Sequence, residues 1–130
     1  MAGKTVIRTE RAQAPFQGAP YSQAIITGGL VFVSGQVPVD PATGKLVEGG
    51  IAEHAHRCFD NVAAILEEAG SGLDKLVKTT VFLQHISDFA AMNAVYAERV
   101  PVPFPARSAV EVSELPLPGA LVEIEVVALA

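Results

Sequence analysis

The segment IAEHAHRCFDNVAAILEEAG, residues 51–70, and the run LVKTTVFLQ, residues 76–84, decide the fold. In the first, Ile51, Ala55, Cys58, Phe59, Val62, Leu66 and Ala69 recur at helical spacing, and Gly70 stops the pattern. The second is apolar and β-branched, so Leu76–Gln84 reads as a strand. Upstream, Thr5–Arg8 reads as a short strand. Gln23–Thr27 and Leu30–Gln36 flank Gly28-Gly29, a hairpin signal, and Asp40–Gly44 is a polar turn. Downstream, Ser87 or Asp88 is expected to cap a second helix with Phe89, Met92, Val95 and Tyr96 on its apolar side, ended by Pro101, Pro103 and Pro105. Ala106–Ser113 and Leu121–Leu129 read as closing strands, joined by a turn holding Pro116, Pro118 and Gly119. Strands, helix, strand, helix and strands make a single α+β domain over residues 1–130, with five or six strands.

Two helices cover only one face of such a sheet. Val31-Phe32-Val33 and Val81-Phe82-Leu83 nevertheless place apolar side chains on both faces, because successive strand residues point opposite ways. Burial of the second face against another subunit is expected, whatever the function.

Half of the 130 residues are hydrophobic and 18% are charged, the balance of a folded protein. Net charge is −5 with no Lys/Arg run, which argues against a nucleic-acid partner. No stretch is apolar enough for a signal peptide or membrane span, so no membrane association and a cytoplasmic location are expected. Cys58 is the single cysteine, which excludes an intramolecular disulfide and a two-cysteine metal site. His54 and His56 lie two apart on a helix and point in opposing directions, and His85 ends a strand. No metal or cofactor is expected. Cys58 falls in the helix's apolar stripe as a small core residue.

The run Phe104-Pro105-Ala106-Arg107-Ser108-Ala109-Val110-Glu111-Val112 puts one arginine at the start of an apolar strand. A guanidinium carries a rigid fork of donors matched to a carboxylate, so Arg107 reads either as an anion receptor or as an edge residue reaching solvent or an internal carboxylate. By alternation, Ser108, Val110 and Val112 suit the helix-covered core, which would turn Arg107, Ala109 and Glu111 to the other face. Glu123 and Glu125 likewise oppose Val122, Ile124 and Val126. An arginine and a glutamate on one face would form a carboxylate-binding group and a proton acceptor; solvated glutamates are the alternative. Ser34-Gly35-Gln36 can present a hydroxyl and backbone N–H groups to an anion or simply end a strand. Tyr21 is a packed loop aromatic or a phenol aimed into a cleft.

In order along the chain stand Ala19-Pro20-Tyr21-Ser22-Gln23-Ala24, Val33-Ser34-Gly35-Gln36-Val37-Pro38, Asp60-Asn61-Val62, Val77–Leu83, Asp88-Phe89, Met92-Asn93 and Phe104–Ser108, with Val122–Glu125 closing the series. Together these segments resemble the Rid (YjgF/YER057c/UK114) family, and within it the reactive intermediate deaminase A subgroup. The resemblance implies a chorismate-mutase-like fold, a ferredoxin-like sheet with two helices on one face, and a homotrimer with clefts between subunits. It implies hydrolysis of 2-imino acids such as 2-iminobutanoate and 2-iminopropanoate to 2-oxo acids and ammonia, a metabolite damage-control activity. It implies Arg107 as the carboxylate grip, Glu123 beside the attacking water, and Tyr21, Ser34, Gly35, Asn93 and Ala109 as cleft residues, with Tyr21 or Glu123 moving protons. Two positions depart from the family pattern: Ala109 where many members have Cys, and Ala19 where the family has Gly before Pro-Tyr. Rival readings are a trimer that binds small carboxylates without chemistry, an endoribonuclease or translation inhibitor, and a chaperone-like protein.

Overall fold

The computed structural model describes residues 3–130. Gly28 and Gly29 both sit at positive φ, 58° and 76°, a conformation cheap only for glycine, and return β2 (Ala24–Thr27) onto β3 (Leu30–Gln36). β1 (Thr5–Ile7) pairs with β2 on the outside. A two-stranded hairpin, β4 (Val39–Asp40) and β5 (Lys45–Leu46), occupies the flanks of the expected polar turn. Next come α1 (Ile51–Glu68), β6 (Leu76–Leu83), α2 (Phe89–Arg99), β7 (Ala106–Glu111) and β8 (Val122–Leu129). The six long strands form one mixed sheet in the order β1-β2-β3-β8-β6-β7. The fold is α+β, as the order of elements predicts.

β6 and β7 are parallel and joined through α2, while β8 runs antiparallel between β3 and β6. Both helices pack on one face. Val31 and Val33, Val81 and Leu83, and Val122, Ile124, Val126 and Ala128 meet Phe59, Val62, Ile65 and Leu66 from α1 and Met92, Val95 and Tyr96 from α2. Each such large side chain contributes about 1.5–3 kcal/mol by leaving water. Cys58 is fully buried in this layer, and burial, then Glu123 nearby, pushes its thiol pKa well up.

Helix ends show one agreement and one difference. Glu53 accepts the Gly50 N–H at 2.7 Å at the start of α1, a bond that holds its pKa low, and Gly70 at φ 79° closes the helix as Ser71 N–H reaches Leu66 O. Neither Ser87 nor Asp88 caps α2 with its side chain. Instead Glu111 of β7 accepts the Ile86 N–H at 2.8 Å, ahead of the helix.

The faces of β7 correct the reading of alternation. Arg107 is paired with Thr79, which is buried beneath α2, so Arg107 and Ala109 lie on the helix side. Val110, paired with Phe82, is 44% exposed on the bare side. Valine at alternate positions looks like a core signature, but on this edge strand it marks the uncovered face. That face does carry the expected apolar surface: Val6, Ile25, Phe32 and Val127 stand in register across four strands, with Phe32 42% and Val6 60% exposed.

Candidate functional site

Arg107 sits where β7 leaves the proline loop, half-buried against α2. Its Nη1 donates to Asn93 Oδ1 at 2.6 Å, and its Cζ lies 4.7 Å from the Tyr96 ring centroid and 5.5 Å from that of Phe89. Both separations fall within cation–π range. Tyr96 is fixed in turn: its hydroxyl shares a 2.7 Å hydrogen bond with Thr79 Oγ1, and its ring meets Phe59 edge-on at 5.7 Å. Phe104, Pro105 and Ala97 complete a cleft of about 360 Å³. No carboxylate pairs with Arg107 among the described residues. A positive fork is thus held open beside a small cavity.

Glu123 lies on the other side of the sheet. It is paired with Phe82, whereas its neighbours Val122 and Ile124 are buried under the helices. Its carboxylate lies so close to Gly35 that a Cβ there would collide with Oε2. The backbone irregularity of β3 between Val33 and Gln36 accompanies this approach. Burial first, and the neighbouring Glu125 second, push the Glu123 pKa up. Tyr21, Ser34, Gly35, Glu123 and Glu125 share a cleft of about 750 Å³ with apolar walls that include Phe16 and Leu117. Gln23, two residues after Tyr21 and buried, accepts Thr9 N–H at 2.7 Å and donates to the carbonyls of Thr9, Ala12 and Gln13, which ties the segment 9–13 to the start of β2. The Ser34 hydroxyl donates to Ser22 O at 2.6 Å, so it braces the Tyr21 loop.

The expected site residues therefore form two groups. Tyr21, Ser34, Gly35 and Glu123 come together on the bare face; Arg107 and Asn93 come together on the helix face, with Ala109 packed into the core on the same strand. One chain does not bring Arg107 and Glu123 to one face, contrary to the sequence reading. That reading treats Phe89 and Tyr96 as apolar positions of α2; Tyr96 is in the core as expected, Phe89 is exposed, and both rings also meet the guanidinium. The signal for it was a pair of aromatics seven residues apart on the helix that precedes Arg107. His54 is buried and engaged at both ring nitrogens, with Val47 O at 3.0 Å and Leu121 N–H at 3.2 Å, and burial lowers its pKa. Among the described residues no three His, Cys, Asp or Glu side chains converge as a metal site, and no described helix is long and apolar enough to cross a membrane.

The family described as Endoribonuclease L-PSP matches residues 11–130. The chain belongs to the Rid family. A RutC family protein of Pyrococcus abyssi is 51% identical over 125 residues, covering 96% of each chain. The human 2-iminobutanoate/2-iminopropanoate deaminase is 43% identical over 118 residues, covering 91% of this Rid chain and 85% of that protein. Among solved structures, a Rid family protein of unknown function from Yersinia pestis superposes with a TM-score of 0.93 at 46% identity, covering 98% of this chain and 100% of that one. Escherichia coli TdcF with bound serine superposes at 0.88 and 35% identity, covering 97% and 98%.

Proposed function

We propose that this Rid protein hydrolyses 2-imino acids, of the size of 2-iminobutanoate and 2-iminopropanoate, to 2-oxo acids and ammonia, at sites assembled between the subunits of a homotrimer. The observation that carries the reading is the half-buried Arg107 fork, open to a cleft and lacking a carboxylate partner. A relative that binds serine and another named as an imine deaminase support a small carboxylate as the ligand. The uncovered apolar face supports burial against further copies.

In this mechanism Arg107 of one copy takes the substrate carboxylate in two parallel charge-assisted hydrogen bonds and fixes the imine carbon. Glu123 of a neighbouring copy takes a proton from water as the C–O bond forms, a task suited to a carboxylate with a raised pKa. The carbinolamine nitrogen is then protonated, by Glu123 or Tyr21. Collapse to the carbonyl breaks the C–N bond and releases ammonia, so one water is consumed for each imine. Ala109 supplies no nucleophile beside Arg107, and addition of water to an iminium carbon requires none.

The test is to generate the imine in situ with an amino-acid oxidase and follow its decay. Acceleration by the wild type, abolished in Arg107→Ala, is expected. Decay at the background rate alongside binding of 2-oxo acids would leave a carboxylate-binding protein without chemistry.

A further inference from the structure

Arg11, Arg57 and Arg99 each pair with an Asp or Glu of the same chain. Arg107, partly buried like Arg57 and Arg99, has no carboxylate partner among the described residues and meets an amide oxygen and two ring faces instead. These three contacts orient a guanidinium without cancelling its charge. The amide takes Nη1; Nε and Nη2, on the adjoining edge of the planar group, have no partner among the described residues. That edge is a two-donor fork of the kind that grips a carboxylate.

We infer that Asn93 is a positioning residue whose neutrality is its functional property: it aims the Arg107 fork and leaves its charge for the ligand. An aspartate at position 93 would have nearly the same shape and would reach Nη1 from the same helix. It would also be a resident counter-ion, and the incoming carboxylate would have to compete with it. Tyr96 acts with Asn93 as a second positioning residue. Its ring supports the cation from below while its own orientation is locked by Thr79 and Phe59. The aim of the fork is thus set from the cleft wall by Asn93 and Tyr96, and Tyr96 is itself held by Thr79 and Phe59, which lie in the core behind that wall. The inference rests on the reading of Arg107 as a carboxylate receptor.

The experiment measures 2-oxobutanoate affinity by calorimetry and thermal unfolding side by side. For Asn93→Asp, affinity is expected to fall by about tenfold or more while Tm holds or rises, because the new ion pair strengthens the chain as it occupies the fork. For Tyr96→Leu, affinity falls; Tyr96→Phe, which keeps the ring and loses only the bond to Thr79, stays within about threefold of wild type. A merely structural Asn93 would lower Tm and affinity together, and that result overturns the inference. So does an Asn93→Asp protein that binds as tightly as wild type. Wild-type binding without acceleration of imine decay would sink the hydrolase reading and leave this inference standing, whereas no wild-type binding at all would overturn both.

Discussion

Arg107 and Glu123 stand on one sheet yet differ in what their own chain supplies to them. Arg107 is held from three sides, by Asn93, Tyr96 and Phe89, on a face already closed by helices. Glu123 accepts no hydrogen bond among the described residues, and it lines a cleft twice as large on a face that nothing covers. The setting of the guanidinium is formed within the single chain. The Glu123 pKa is raised by desolvation and by a like-charged neighbour, and no cationic side chain pairs with Glu123 among the described residues. Arg107 on β7 and Glu123 on β8 flank β6 and face opposite sides of the six-stranded sheet, so the proposed mechanism takes its two halves from different copies.

The largest effect should come from the bare half. Glu123→Gln is isosteric and removes the base, and kcat should fall by about 10²-fold or more with little change in 2-oxobutanoate affinity. An unchanged kcat and pH profile would take Glu123 out of the mechanism. Arg107→Lys keeps the charge and loses the fork and the stacking; kcat/KM should fall by about 10²-fold, and the loss of affinity separates this half from the other. Full turnover in this variant would remove the receptor role. Gly35→Ala probes the comparison without touching a polar group. Its Cβ displaces the flexible end of Glu123, so turnover should drop by about tenfold while stability changes by less than about 1 kcal/mol. An active Gly35→Ala protein would show that the close approach is not needed.

The smallest effect concerns pH. Folding raises the Glu123 pKa, by burial first and Glu125 second, so the folded state holds its proton more tightly than the unfolded chain. The resulting stability is complete below the ordinary carboxyl pKa and is lost as pH rises through the raised one. Tm measured for Glu123→Gln should therefore exceed that of wild type at neutral pH, and the gap should close in acid. In the same window kcat should fall with pH as the base takes up its proton. A gap that widened in acid would contradict the direction of the shift.

Much of the fold could be read from local chemistry. The Gly28-Gly29 turn, the α1 stripe with its stop at Gly70, and the β6 run each state their structure within a few residues. The faces of β7 could not be read this way. Ser108, Val110 and Val112 alternate like a core strand, and only the parallel register with Thr79 reveals that Arg107 points toward the helices. The start of α2 at Asp88 was legible, but Asp88 makes no side-chain capping bond, and the Glu111 contact to Ile86 just ahead of the helix comes from a strand distant in sequence. Family segments named Arg107, Glu123, Tyr21, Ser34, Gly35 and Asn93, but sequence motifs carry no face. The split between halves, and the aromatic platform of Phe89 and Tyr96, are tertiary facts.

Complementation tests that split most directly. Arg107→Ala and Glu123→Gln, each inactive alone, are unfolded together, refolded as a mixture and assayed for imine hydrolysis. If each site draws its arginine and its glutamate from different copies, random assembly restores about a quarter of the wild-type rate. If the mixture stays as inactive as its parents although mixed oligomers form, both residues work within one chain and the composite site is wrong.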